Sequence, residues 1–333
     1  MTTLHIGNWG QTLVEALRSD GLTDAQIIGN TGIDIQALDS DEPKISFTEL
    51  AQLFERAAKL TGDDLLGFRH GQSSDYRRGG LLAYTGISSP TVRTFLGNLS
   101  RFQRVTGDAL SISADSLEKD GTIEWQFNVP REVIRQQYVE FSSAALVGFV
   151  RKLTNRTVTP QAVAYRHFRK SNVTPMVRYF GSEIDFGART NKMQFKLSDL
   201  DLPLQSADDH LYRILHKMSE EIVAKREKAK PSIIISVEEC ISSNPAMSKE
   251  NVAKQLGMST RTLARRLAEA DKTFFGLVEG YRASMSKSML TDTDLQLTEI
   301  AYVVGYSESS TFSTAFKRWT GLTPTEYRVR HSK

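Results

Sequence analysis

The spacing of apolar residues changes character several times along this chain, and each change predicts an element. After Ser89-Pro90, which read as an N-cap and a first helical residue, Val92, Phe95, Leu96, Leu99 and Phe102 recur at helical spacing. Ile123, Trp125, Phe127 and Val129 alternate with polar residues, as on a half-buried strand, and Asp120-Gly121 just before them predicts a hairpin turn back to residues 110–114. A long helix over about residues 132–153 follows Pro130, and alternation returns near residues 163–167 and 193–197. The pattern predicts a helical first third and then a small sheet with helices, an α+β domain. It lacks the repetitive run of short strands that a jelly roll needs.

From about residue 207 to 228 another helix carries Leu211, Leu215, Met218 and Ile222 at spacings of 4, 3 and 4, a heptad seam. Two readings fit it: packing within its own domain, or dimerisation along the helix. The seam runs into Lys225-Arg226-Glu227-Lys228-Ala229-Lys230-Pro231, which is charged and closed by a proline that stops a helix. A domain boundary is expected there, dividing residues 1–229 from residues 230–333.

Beyond the boundary the chain repeats itself. Residues 251–259 and 299–307 share the form x-apolar-Ala-x-x-apolar-Gly-apolar-Ser, 48 residues apart. Each copy reads as a helix-turn-helix, one over about residues 249–269 and the other over about 297–320. Ala253 and Ala301 stand where two helices meet closely, Gly257 and Gly305 where the chain needs a positive φ, and Ser259 and Ser307 where the next helix needs a cap. The second helices are expected over about residues 260–269 and 309–320, burying Leu263 and Leu267 in one and Phe312, Phe316 and Trp319 in the other. Between the copies, Phe274, Leu277, Val278, Tyr281, Met285 and Met289 predict a long helix over about residues 274–291. At 1.5 Å per residue it spans ~27 Å, comparable to the ~34 Å of one duplex turn. One chain would thus offer two recognition helices to successive major grooves.

Composition adds limits. The chain has 333 residues, enough for two cores, and a net charge of +3. Residues 230–333 hold 14 Lys+Arg against 11 Asp+Glu, so the whole excess lies there, though it is too small to indicate nucleic acid by itself. Cys240 is the only cysteine, which excludes an intrachain disulfide and a Cys-based zinc site. The first residues show no basic start followed by an apolar run, and no stretch reaches membrane-span length, so a cytoplasmic protein with no membrane partner is expected.

The run from Gly305 through Phe312-Ser313-Thr314-Ala315-Phe316-Lys317-Arg318-Trp319 to Pro324 and Tyr327, with residues 258–267 for the first copy, resembles the AraC/XylS signature over about residues 232–330. The upstream region resembles the arabinose-binding-like N-terminal domain of a subgroup that includes ornithine-utilisation regulators, on Gly80-Leu81-Leu82-Ala83-Tyr84, Ser88-Ser89-Pro90-Thr91 and residues 186–204. The resemblance implies sequence-specific binding to double-stranded promoter DNA, and transcription control, usually activation, through RNA polymerase. Mapped onto this chain, the first recognition helix reads bases from Arg261 and Arg265, with Thr260 and Ala264 nearby. Either arginine could instead hold a phosphate. The second helix presents Ser309, Ser310, Thr314 and Lys317. Here the chain departs from the family, because Thr314 replaces a common arginine. Ser259, Arg318 and Arg328 are assigned to phosphate contact.

No Walker A, G-x-G-x-x-G or G-x-S-x-G motif is present, and no metal set, so neither a cofactor nor a metal is expected. Ser284-Met285-Ser286-Lys287 matches S-x-x-K only by chance, inside the connecting helix. For an effector the candidates are Arg78, Tyr84 and His167, the last on an expected strand face with Val163 and Tyr165. Structural roles compete for each. The expected architecture is an α+β sensor or dimerisation domain followed by an all-α domain with two helix-turn-helix units joined by a long helix. The expected function is an effector-responsive, homodimeric regulator, with an effector-independent regulator as the alternative. An enzyme fused to a DNA-binding module is the least supported, since no acid–base pair or nucleophile set stands upstream.

Overall fold

A computed structural model describes residues 4–41, 43–225 and 232–331. Most of the charged segment read as the boundary, residues 226–231, lies outside the described residues. The chain forms two compact units. One comprises Met1–Val129, Val133–Arg166 and Thr174–Ala229, and the other Pro130–Glu132, His167–Val173 and Lys230–Lys333. No described helix is long and apolar enough to cross a membrane.

The first unit is α+β. Its main sheet has five strands: β3 (Leu110–Ser113), β4 (Thr122–Phe127), β5 (Ala162–Tyr165), β6 (Ile184–Phe186) and β7 (Asn191–Gln194), in the order β3-β4-β7-β5-β6. All neighbours are antiparallel except β5 and β6. A further pair, β1 (Leu4–Ile6) with β2 (Lys44–Ser46), was not expected in the first third. Three residues per strand are too few for alternation to show.

Helices cover the sheet. Gln136–Thr154 is the longest of this unit, and it buries Tyr138, Phe141, Val147 and Val150. Phe47–Thr61 packs beside it, started by a Ser46/Glu49 capping box. Leu66–Ser73 crosses it so closely that a Cβ on Gly67 would lie 2.1 Å from the Gln137 carbonyl oxygen, and one on Gly71 2.3 Å from that of Phe141. Two glycines four apart clear one helix face for this approach.

Several boundaries differ from the sequence pattern. Thr91, not Ser89, caps Val92–Phe102, through a 3.3 Å bond from the Thr94 N–H. Asp120-Gly121 is no two-residue hairpin turn. It ends a short helix, Leu117–Asp120, and Gly121 takes φ 80° as its C-cap. β5 stops at Tyr165, so His167 is not on its face but in the segment His167–Val173 grouped with the other unit. The long helix starts at Gln136, four residues later than expected.

One buried and one half-buried histidine make this unit acid-sensitive. Among the described residues, the His5 side chain has the Tyr138 hydroxyl, 3.3 Å from Nε2, as its one hydrogen-bond contact. Burial lowers its pKa from 6.5 to about 4, and burial does the same to His70, also to about 4. Between these values the unfolded chain binds protons that the folded chain refuses. Stability is therefore full above pH 6.5 and is lost as pH falls toward 4, by about 3 kcal/mol for His5. Thermal melts from pH 7.5 to 5 should show the midpoint falling, and His5→Leu should flatten that fall. A flat native profile would refute the account.

The second unit is all helical: Ile233–Ser243, Lys249–Gln255, Thr260–Ala268, Phe274–Asp292, Leu297–Val303, Ser309–Thr320 and Pro324–His331. It has two small cores and one shared wall. Leu277, Val278 and Tyr281, early in Phe274–Asp292, pack with Val252, Leu263 and Leu267. Met289 and Leu290, near its end, pack with Ile300, Phe312 and Phe316. Met285 touches both clusters.

Candidate functional site

Each half of the second unit is a helix-turn-helix. Ala253 and Ala301 are buried in the crossing, and Gly257 and Gly305 turn the chain at φ 66° and 85°. No atom would obstruct a side chain at Gly257, so backbone conformation alone selects glycine there. At Gly305 a Cβ would also press on Pro245 backbone at 3.3 Å.

The two turns differ by one residue. Ser259 caps Thr260–Ala268 by accepting the Thr262 N–H at 3.1 Å. Ser307, its expected counterpart, is not a cap. Ser309–Thr320 starts later, and Glu308 is its N-cap residue with no side-chain bond. The offset between copies is 48 through the glycine but 49 in the recognition helices, where Leu263 and Leu267 correspond to Phe312 and Phe316. Arg261 and Arg265 therefore correspond to Ser310 and Thr314.

All four of these residues are exposed, as is Lys317, while Thr260, Ala264 and Ser309 are half-buried. Arg261 and Arg265 lie one turn apart on one face of their helix, and Arg265 pairs with Glu269 at 2.5 Å. An arginine here can donate two hydrogen bonds to guanine O6 and N7. The second helix offers less. The Thr314 hydroxyl donates to the Ser310 carbonyl at 3.1 Å, and the Ser310 hydroxyl faces the Glu308 carboxylate at 3.3 Å.

Ser259 is exposed, with its oxygen already accepting the cap bond. Arg318 is exposed and pairs with Glu279 of the spacer helix, whose carboxylate also accepts from the Trp319 indole at 3.1 Å. Arg328 does not stand free on the surface as a phosphate ligand should. It is half-buried, and its guanidinium donates to the carbonyls of Leu290 and Leu295, at 3.3 and 2.5 Å, fastening the last helix. Arg282 is marked by no sequence motif. It reaches the carbonyls of Pro245 and Gly305 at 3.0 and 3.4 Å and lies over the Tyr306 ring, tying the two halves together.

A family model described as the arabinose-binding domain of AraC transcription regulators, N-terminal, matches residues 21–204, more than half of the chain. The chain belongs to the AraC family. A helix-turn-helix domain model matches residues 252–330 of this AraC-family regulator, and the chain is a DNA-binding transcription regulator rather than an enzyme. It is 23% identical to the ornithine utilization regulator of Pseudomonas aeruginosa over 324 residues, 96% of this chain and 95% of that protein. It is 25% identical to the regulator VirS of Mycobacterium tuberculosis over 255 residues, 75% of each chain. Among solved structures, the transcriptional regulator CdpR of Pseudomonas aeruginosa is similar over 97% of this chain and 98% of its own, at 18% identity and a TM-score of 0.45.

The N-terminal domain of this AraC-family chain holds a cavity of about 160 Å³ between the β3–β4 face and the surrounding helices. The effector candidates taken from sequence do not line it. Arg78 is paired with Glu15 at 2.7 Å, Tyr84 is 41% exposed, and His167 lies in the segment grouped with the other unit. All three are polar or charged side chains, whereas the cavity is walled by the sheet face and by helix residues with the spacing of a core. His5, Trp125 and Tyr138 do line it. Only the alternation at Ile123, Trp125 and Phe127 gave any signal.

On the helix Asp209–Lys225 the heptad seam splits. Leu211 and Met218 are 40% and 47% exposed, joined by Ile214 at 46%, whereas Leu215 and Ile222 are half-buried. The side toward its own domain is set by Ser219, bonded to Thr85 at 3.0 Å, and by Tyr212, whose hydroxyl accepts from Asn98 at 3.3 Å.

Proposed function

We propose that residues 230–333 of this regulator bind promoter DNA sequence-specifically, with unequal work in the two halves. The first recognition helix reads bases through Arg261 and Arg265, flanked by Thr260 and Ala264. The second, with Ser309, Ser310, Thr314 and Lys317, seats the protein on the backbone and discriminates little. The supporting observation is that equivalent exposed positions carry two arginines in one half and two short hydroxyls in the other. Ser259, Lys317 and Arg318 are the phosphate contacts, with Arg318 exchanging Glu279 for a phosphate. The spacer of 19 residues, ~28 Å long, sets the two helices about one turn of DNA apart.

Residues 1–229 sense a small molecule, a reading supported by the matched N-terminal family and by the cavity. They also pair two chains through Leu211, Ile214 and Met218. The protein works in the cytoplasm, where promoter DNA is, and it activates through RNA polymerase, as the family resemblance implies. Footprinting tests the central claim. Each monomer should protect two half-sites ~10 bp apart, with affinity falling steeply as salt rises. Leu211→Lys with Met218→Lys should shorten the footprint of the dimer to that of one chain. Weak binding, alike on all sequences and indifferent to salt, would refute the DNA reading. An unchanged footprint in the double variant would refute the dimer.

A further inference from the structure

We infer that the cavity of the N-terminal domain takes an uncharged, mainly apolar ligand of benzene to naphthalene size, held by a carbonyl or hydroxyl oxygen at Trp125 Nε1, with His5 Nδ1 as a further polar contact. This rests on the effector reading above and gives it a chemical class. Size comes first: about 160 Å³ is close to the ~150 Å³ apolar cavity that admits benzene. The walls come next. Trp9, Phe95, Phe127, Phe141 and Phe149 supply flat apolar surface from four elements, and among the described residues no Lys, Arg, Asp or Glu lines the cavity. A carboxylate or ammonium group inside would lose its water with no counter-charge to replace it.

The polar atoms narrow the class further. Trp125 Nε1 and His5 Nδ1 are buried and have no hydrogen-bond partner among the described residues. Their residues are 7% and 4% exposed, and both line the cavity. Buried N–H groups without partners are rare in folded proteins and call for an explanation at the site. A ligand oxygen accepting from the Trp125 indole supplies one; at His5 Nδ1 a carbonyl or hydroxyl accepts when that nitrogen carries the proton, and a hydroxyl donates when it does not. Three other lining hydroxyls already have partners: Ser142 and Ser143 donate to the Val139 carbonyl at 2.9 and 2.7 Å, and Thr106 to that of Gln103 at 2.7 Å. A sugar with several hydroxyls would leave most of them unanswered. Burial also keeps His5 neutral near pH 7, which suits an uncharged guest.

The test uses the full chain with ¹⁵N-labelled tryptophan, which gives three indole signals, from Trp9, Trp125 and Trp319. Trp125→Phe assigns the middle one. The probes are 4-fluoroacetophenone, its hydrocarbon counterpart 4-fluoroethylbenzene, L-arabinose and L-ornithine. The ketone should move the Trp125 signal and bind about fivefold more tightly than the hydrocarbon. The sugar and the amino acid should leave it unmoved. Trp125→Phe should erase the ketone's advantage, and Ser142→Phe, which fills the cavity, should abolish binding of both aromatics while the Trp319 signal stays in place. If Trp125→Phe does not fold, the ketone–hydrocarbon comparison in the native chain decides. Equal binding of the two aromatics, or none, overturns the inference. So does a Trp125 shift with arabinose or ornithine, which would leave the effector reading standing. If none of the four probes binds, and no metabolite in a broad panel changes promoter affinity, the effector reading falls as well. The footprint bears on neither result.

Discussion

Arg261→Ala is expected to relax base discrimination at one or two positions of the first half-site, by roughly 1–3 kcal/mol, or about 5- to 150-fold. The reason is geometric. The side chain is exposed near the start of a recognition helix capped by Ser259, where a guanidinium can lie in the plane of a guanine edge. Arg265→Ala should act on a neighbouring position, moderated because Arg265 must first leave Glu269. Thr314→Ala, at the equivalent place in the second half, should change specificity little, since its hydroxyl is already bonded to its own helix. Binding assays over a randomised half-site measure all three. If Arg261→Ala weakens every sequence equally and lowers the salt slope by about one unit, Arg261 is a phosphate contact and the division of labour is wrong.

The second large effect concerns the fold. Gly67→Ala should destabilise the N-terminal domain by about 3 kcal/mol or more. The new Cβ would stand 2.1 Å from the Gln137 carbonyl oxygen and 2.7 Å from its carbon, both main-chain atoms inside a packed helix. Neither helix can yield without breaking the bond from the Gly67 N–H to Gln137 Oε1, 2.9 Å, or that from the Gln137 side-chain amide to the Asp64 carbonyl, 2.8 Å. Gly97→Ala is the control. Gly97 is also helical, nothing lies within 4 Å of its added Cβ, and a gain of up to ~1 kcal/mol is expected. Urea unfolding of the three chains settles the point. Equal midpoints for native and Gly67→Ala would mean that the close crossing does not hold the domain together.

Legibility varied with the kind of signal. The helices Val92–Phe102, Phe274–Asp292 and Ser309–Thr320 follow closely from apolar spacing, because each buries one face against a core and leaves the other to water. Caps were harder. Thr91 and Glu308 took places that pattern gave to Ser89 and Ser307, since which residue becomes the N-cap depends on where the helix is fixed by packing. The one-residue difference between the turns was hidden for the same reason. Periodicity aligned the first helices, the glycines and the serines, and only the burial of Leu263 against that of Phe312 exposed the shift.

Residue order alone specifies two related helix-turn-helix units on a long spacer within residues 249–320, with Arg261 and Arg265 facing outward. Those are local facts, set by residues within a few turns of one another. Packing in three dimensions is what makes Arg328 serve its own fold, makes Arg282 tie the two halves, and borders the cavity with His5, Trp125 and Tyr138 rather than with Arg78, Tyr84 or His167. A cavity wall is assembled from residues more than a hundred positions apart, and an apolar side chain that faces a void has the same local pattern as one that faces a neighbour.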